Sequence, residues 1–191
     1  MRQIIDLVQG SPEWLAHRLK YRNASETPAV MGLSPWVTPE QLREIRTGKR
    51  VQEVTYPMRR GMMLEPTARA TYEDETGIVM EPAVMVDGEY SASLDGLTFQ
   101  GDLILEIKCP MKGRESETWE AVAGGVVPEH YYYQVQHQLM VSGAELCHFY
   151  VFDDKEGMGT MIEVQAVPEH IQRLQSAWES FLTVPVLRVA A

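Results

Sequence analysis

Cysteine is scarce in this chain: Cys109 and Cys147 are the only two among 191 residues. Two thiols cannot supply the four ligands of a zinc ribbon or an iron–sulfur cluster, which argues against either kind of centre. Both fall beside or within apolar, strand-like segments and read as reduced structural thiols. Long apolar runs are missing as well, so no segment reads as a membrane span. The first residues, MRQIIDLVQG, lack the basic region and long apolar core of a signal peptide, and the expectation is a cytoplasmic protein with no membrane partner. Internal repeats, low-complexity tracts and linkers are also absent. A hydrophobic content of 45% in a chain of this length suits one domain with a sizeable core and is too little for two, so residues 1–191 are expected to form a single domain.

Basic residues are in short supply too, with 17 Lys and Arg against 27 Asp and Glu and a formal net charge of −10. That balance opposes nucleic-acid binding, where phosphate contact draws on Lys and Arg. The deficit is uneven. Residues 1–114 hold 14 basic and 16 acidic residues, whereas residues 115–191 hold 3 and 11. The segment from Arg43 to Arg60 carries six basic residues and two acids. A basic lining with an acidic exterior would suit a protein that encloses DNA; an ordinary acidic protein with scattered arginines has the same composition.

What is present centres on Ser93 to Pro110, SLDGLTFQGDLILEIKCP. Asp102 to Lys108 reads as a strand whose period of two sends Leu103, Leu105 and Ile107 to one face and Glu106 and Lys108 to the other. Asp95 ends an earlier strand, Tyr90 to Leu94, and a turn at Gln100-Gly101 would bring it back beside Glu106. Two carboxylates so placed, with the main-chain carbonyl of Ile107, can hold a divalent cation that keeps several waters. Lys108 could orient and deprotonate one such water, or offset charge on a phosphate under attack. Taken alone, Glu106-Ile107-Lys108 more often means a surface Glu-x-Lys pair on an ordinary strand.

Around this stretch the elements follow from caps and periodicity. Ser11-Pro12 starts a helix with an apolar stripe of Trp14, Leu15 and Leu19, and Arg18 lies beside that stripe. Ser25 reads as the N-cap of a short helix from Glu26 to Met31 closed by Gly32. A helix start with Arg18 nearby could receive a phosphate, although capping alone explains Ser25 and solvation alone explains Arg18. Thr38-Pro39-Glu40-Gln41 is a capping box for a helix ending at Gly48, and Lys49 to Thr55 is a polar loop. Pro57 to Gly77 reads as a long helix with Met58, Met62, Leu64, Ala68 and Tyr72 on its buried side, disturbed at Gly61 and Pro66. Short strands are expected at Ile78–Met80, Ala83–Val86, Tyr90–Leu94 and Asp102–Lys108, with a hairpin turn at Asp87-Gly88. A helix from Glu115 to Ala123 follows. Pro128 to Gly143 is a regular helix with Tyr131, Val135, Gln138 and Leu139 on one face and Gln134 and His137 on another. His130 and His137 lack Cys or His partners at metal-ligand spacing and read as polar helix residues. A hairpin of Leu146–Phe152 and Gly159–Ala166 and a helix from Pro168 to Leu182 close the chain. This order gives an α/β fold with a central mixed sheet flanked by helices.

Asp95-Gly96 followed by Glu106-Ile107-Lys108-Cys109-Pro110 resembles the active-site motif of the PD-(D/E)XK nucleases, specifically the lambda exonuclease or YqaJ-type phage recombination exonucleases. Trp14 to Arg18, Ala24 to Glu26, Gly61 to Pro66 and Tyr131 to Gln136 agree with that family in order and approximate spacing. Leu94 stands where the family name expects proline, a position without chemistry. The resemblance implies a restriction-endonuclease-like fold and a magnesium-dependent 5′ to 3′ exonuclease acting on ends of double-stranded DNA, with manganese as the alternative ion and two ions per site. It implies that Asp95, Glu106 and the Ile107 carbonyl bind metal, that Glu65 supports it through water, and that Lys108 serves the nucleophilic water. Arg18 and Ser25 would hold the 5′-terminal phosphate, with Gln134 approaching the phosphate or a metal-site water. It further implies mononucleotide products and a 3′ single-stranded overhang, a ring-shaped homotrimer, a phage or prophage origin and a single-strand annealing partner. An endonuclease or resolvase on the same fold and a non-catalytic DNA-binding module are the alternatives.

Overall fold

The computed structural model describes residues 1–183. Its strands are β1 (Gln3–Ile5), β2 (Arg22–Asn23), β3 (Glu81–Asp87), β4 (Tyr90–Leu97), β5 (Leu103–Lys108), β6 (Leu146–Asp153) and β7 (Met158–Gln165). They form one mixed sheet in the order β1-β3-β4-β5-β6-β7, with β2 attached to β4. β5 and β6 run parallel, as do β2 and β4, and the remaining pairs are antiparallel. The β3–β4 hairpin turns at Asp87-Gly88 as expected, with Gly88 at φ 58°, a left-handed conformation that favours glycine. Pro82 lies at a register shift between Glu81 and Ala83, where its missing N–H does not interrupt the ladder. Ile78–Met80, expected as a strand, is outside the sheet. The Met80 N–H instead bonds the Glu73 carboxylate at 2.7 Å.

The helices are α1 (Pro12–Lys20), α2 (Thr27–Val30), α3 (Pro39–Arg46), α4 (Tyr56–Thr76), α5 (Glu117–Ala123), α6 (Glu129–Ser142) and α7 (Pro168–Thr183). Ser11 caps α1, Thr38 and Gln41 close a reciprocal capping box on α3, and Gly77 ends α4 in the left-handed conformation. α5 and α6 cover one face of the sheet, where Val122, Val135 and Leu139 pack with Leu94, Ile104, Phe149 and Val151. α4 covers the other face, with Ala68 and Tyr72 against Leu105, Ile107, Tyr150 and Phe152. Outside α6, Leu174, Trp178 and Phe181 of α7 join Leu42 of α3, Tyr133 of α6 and α2 in a second apolar layer. Each such side chain contributes about 1.5–3 kcal/mol on full burial. Among the described residues no helix is long and apolar enough to cross a membrane.

Three sequence expectations fail locally. The α1 stripe is not buried: Leu15 and Leu19 are 55% and 60% exposed. That helix is held by hydrogen bonds instead, from Trp14 Nε1 to Ser93 Oγ at 2.9 Å and between His17 Nε2 and Ser91 Oγ at 2.9 Å. Ser25 is not an N-cap but the middle residue of a 3₁₀ turn, Ala24–Glu26, that precedes α2. Asn23 starts this turn by donating to the carbonyls of Arg18 and Tyr21 at 2.7 and 3.0 Å. On α4, Met58 and Met62 are exposed and only Ala68 and Tyr72 are buried, because the first turns of that helix extend past the sheet.

Candidate active site

β5 is the central element of the site. Its alternation puts Leu105 and Ile107 into the layer under α4 and Ile104 into the layer under α6. Glu106 and Lys108 therefore face α6. β4 and β5 pair at Gly96↔Leu105 and Leu97↔Ile104. Asp95, expected to end its strand, lies inside β4. Its Oδ2 accepts the Ile107 N–H at 2.7 Å, so a side chain takes over where a ladder bond would otherwise form. Gly96 permits the close packing beside it. A Cβ there would stand 2.7 Å from Met80 Cβ and 3.0 Å from Leu105 Cβ.

Glu106 is almost fully buried, and three donors share it. Lys108 Nζ and Gln134 Nε2 both donate to Oε1, the latter at 2.7 Å, while Gln138 Nε2 donates to Oε2 at 2.5 Å. Gln134 and Gln138 are one helical turn apart on α6, which is the spacing that lets two side chains reach one carboxylate. Gln134 thus meets Glu106 rather than grouping with His137. Gln138 also donates to the Ser93 carbonyl at 3.2 Å. Lys108 Nζ lies 4.8 Å from the Tyr131 ring centroid. Burial opposes the Lys108 ammonium, but Glu106, with Tyr131 and Asp95, raises its pKa above that of an ordinary lysine.

Glu65 projects from α4 on the turn before Pro66 and pairs with Arg69 at 3.4 Å. Arg69 also donates to the Asp95 carbonyl at 2.6 Å, so α4 is tied to β4 at the residue of interest. Burial raises the Asp95 pKa well above the carboxylate range, and Glu106 and Glu65 raise it further. Burial raises that of Glu65 as well, opposed by Arg69 and assisted by Glu106. Cys109, next in the chain after Lys108, has its thiol pushed up to about 12 by burial and then by Asp95.

Among the described residues, no three His, Cys, Asp or Glu side chains converge as a ready metal cage. A magnesium ion needs none, since it binds through one or two carboxylates and keeps much of its water. The residues fit such an ion: hard oxygen donors, the charge of Glu106 beside Asp95 and Glu65, whose pKa values burial and Glu106 raise, and Gln138 Oε1, buried without a hydrogen-bond partner among the described residues. Asp95, Glu106 and the Ile107 carbonyl are the groups that would hold it, with Glu65 behind them.

A second constellation lies across α1 and the 3₁₀ turn. Arg18 Nη1 donates to Ser25 Oγ at 3.1 Å, and Arg18 Nη2 pairs with Glu26 at 3.2 Å. The other Glu26 oxygen takes Arg46 Nη1 at 2.6 Å. Two guanidinium groups against one carboxylate leave a net positive charge beside the exposed Ser25 hydroxyl. The Arg18 guanidinium also stacks 4.7 Å from the Trp14 ring centroid. The sequence grouping of Arg18 with Ser25 is therefore present in space, while Gln134 sits with Glu106.

Arg69 and Gln138, which touch Asp95 and Glu106, were not visible as site residues in the sequence. Gln138 stands four residues after Gln134, and that spacing was the available signal. His137, read as a polar helix residue, is fully buried, bonded through Nδ1 to Thr27 Oγ1 at 2.7 Å. Arg60, in the basic segment, donates to the Cys109 carbonyl at 3.0 Å and pairs with Asp154, so it braces the end of β5.

A family model described as a YqaJ-like viral recombinase domain matches residues 13–145. The chain is 31% identical over 143 residues to the uncharacterized protein YqaJ of Bacillus subtilis (strain 168), a match covering 70% of this chain and 43% of that protein. The chain thus spans less than half the length of this curated relative. Among solved structures it is similar to an alkaline exonuclease, LHK-Exo, from Laribacter hongkongensis, with 29% identity and a TM-score of 0.71 over 90% of this chain and 91% of the other. A structure of LHK-Exo in complex with dAMP matches with 27% identity and a TM-score of 0.73 over the same shares. A phage related exonuclease from Haemophilus somnus 129PT, 15% identical with a TM-score of 0.63 over 84% and 92% of the two chains, shares the fold.

Proposed function

Because the chain belongs to the family described as the YqaJ-like viral recombinase domain, we propose that it is an exonuclease, acting with magnesium or manganese from the 5′ ends of double-stranded DNA. The observation that carries this reading is Glu106, shared by Lys108, Gln134 and Gln138 beside the buried Asp95. Bound ions, held by Asp95, Glu106 and the Ile107 carbonyl, would activate water and neutralise charge on the phosphate. Lys108 presents N–H donors and positive charge to the phosphate oxygens. Gln134 and Gln138 fix the Glu106 carboxylate, and Asp95 is fixed by the Ile107 N–H and, through its carbonyl, by Arg69. Arg18 and Ser25 offer the terminal 5′ phosphate a charged and a neutral donor. Water adds to phosphorus and the bond to the 3′ oxygen breaks, so the product is a mononucleotide and the shortened strand carries a new 5′ phosphate for the same pocket. The dAMP complex of the Laribacter enzyme, a complex with a mononucleotide, supports that product.

On the same footing we place the protein in a bacterial cytoplasm during phage recombination, as a homotrimer passing its 3′ overhang to a single-strand annealing protein; the viral recombinase family supports this setting. The test is degradation of linear duplex DNA with magnesium, comparing ends with and without a 5′ phosphate, with a closed circle and Lys108→Ala as controls. Loss of linear DNA that favours the 5′ phosphate, spares the circle and needs Lys108 is expected. Nicking of the circle would identify an endonuclease, and inactivity with both magnesium and manganese would identify a DNA-binding module.

A further inference from the structure

Trp36 is 65% exposed, on a loop that is otherwise firmly held. Leu33 N and Ser34 N both donate to the Pro28 carbonyl, at 2.8 and 3.1 Å. Ser34 Oγ accepts the N–H groups of Trp36 and Val37, each at 3.2 Å. The Thr38 capping box of α3 follows at once. Leu33 and Val37, on either side, turn inward to the layer formed by Trp178 and Phe181. The backbone therefore presents one large aromatic ring outward from a fixed position.

That ring does not stand alone. Its centroid lies 5.1 Å from His130 in an edge-on arrangement and 6.0 Å from Tyr131. Tyr131 in turn is the ring beside Lys108 Nζ and packs on Phe149 in the core. A continuous aromatic run thus leads from the catalytic lysine to the surface. An exposed indole continuous with a phosphate-cleaving centre fits the flat face of a nucleobase, since stacking on an aromatic side chain holds any base by its π face. Lys108 at the inner end supplies the positive charge for the phosphate attached to that base.

We propose that Trp36, backed by His130 and Tyr131, is a stacking shelf for the unpaired nucleobase adjoining the phosphate at Lys108. The inference rests on the nuclease reading for its location, but stacking is measurable without cleavage. Trp36→Ala raises KM for 5′-phosphorylated linear duplex about tenfold and leaves kcat within about twofold, since a stacked base contributes roughly 1–3 kcal/mol. Trp36→Phe restores most of the affinity. Replacing the terminal nucleotide with an abasic one raises KM of the unaltered protein by a similar factor and adds nothing to Trp36→Ala. Equal KM values for the unaltered protein and Trp36→Ala, or additive effects of the substitution and the abasic site, would overturn the shelf.

A second measurement decides the matter if the protein degrades nothing. Binding of a single-stranded oligonucleotide, followed by anisotropy of a dye on the DNA, is expected to quench tryptophan fluorescence, and Trp36→Phe to remove most of the quenching while still binding. Quenching that survives Trp36→Phe, or no binding at all, counts against the shelf. A change of oligomeric mass in Trp36→Ala without a change in DNA affinity would instead assign the ring to an interface between copies.

Discussion

α6 has polar side chains buried on two of its faces, and the two faces treat them in opposite ways. Toward β5, Gln134 and Gln138 grip the Glu106 carboxylate, with Lys108 and the buried Asp95 beside it. Toward α2 and α7, His137 meets the Thr27 hydroxyl, which also accepts the Trp178 indole N–H at 3.0 Å. Since the indole can only donate, the Thr27 hydroxyl is left free to give its own hydrogen to His137 Nδ1. No formal charge is needed there, and burial lowers the His137 pKa to about 3, which keeps the ring neutral. On the β5 face burial raises the pKa of Asp95 and of Glu65, and the nearby Glu106 adds to both. On the core face a neutral hydrogen bond joins Thr27 to His137 while His137 Nε2 has no partner among the described residues; the site gathers carboxylates where a cation would fit.

The sharpest way to break the comparison is to remove the charged partner on the β5 face. Lys108→Ala is expected to lower the rate of DNA degradation by about a hundredfold to a thousandfold, the range for losing one electrostatic group at a reacting phosphate or acyl centre. Circular dichroism should show an unchanged fold. Arg18→Ala addresses the separate charged cluster on α1 and should reduce the preference for 5′-phosphorylated over unphosphorylated ends by about ten- to a hundredfold, as expected for a lost charged hydrogen bond. Competition between the two substrates in one tube reads this ratio directly, and an unaltered ratio would remove Arg18 from the phosphate pocket.

The other face is probed by acid. A folded His137 resists protonation until about pH 3, whereas an unfolded histidine takes a proton below its ordinary value of 6.5. Stability from this residue is therefore fully present above pH 6.5 and is lost as pH falls toward 3. At pH 5 the loss amounts to about 2 kcal/mol. His137→Gln, which retains a donor and acceptor but does not titrate, should lose that much less between pH 7 and 5 in urea denaturation. Parallel curves for the two proteins would show that His137 is not kept neutral. The smallest effect on stability is expected from Asp95→Asn, which retains an acceptor for the Ile107 N–H and deletes one of the repelling charges. The folded protein should gain about 1 kcal/mol, a rise of roughly 2–4 °C in Tm, while nuclease activity disappears. A fall in Tm would mean that Asp95 is better satisfied as an anion than its surroundings indicate.

Much of the site was legible because strand alternation and turn chemistry are local. The period of two in β5 already put Glu106 and Lys108 on one face, and Gly101, at φ 75°, already marked the turn that returns β5 to Asp95. The Thr38 box was legible for the same reason. What escaped were contacts between residues distant in the chain. β1 has too few residues to show a period, and it exists through its pairing with Val84–Val86. α1 has an apolar stripe in sequence, yet its attachment is to Ser91 and Ser93, more than seventy positions away. His137 reads as polar on any scale, and only the hydroxyl of Thr27, 110 residues earlier, makes its burial tolerable. Arg69 stands four residues after Glu65, a pairing distance the sequence shows, but its bond to the Asp95 main-chain carbonyl leaves no trace there, since any sequence provides a carbonyl.

The bond from Trp14 to Ser93 has a metrical consequence. Ser93 is two residues from Asp95, and the same indole lies against the Arg18 guanidinium. Trp14 thereby joins α1 to β4 and links the distance between Arg18 and the pair Asp95 and Glu106 to that bond. Under the proposed function, in which Arg18 stops the 5′ phosphate and Asp95 and Glu106 border the cleaved bond, that distance would set the increment removed at each stroke.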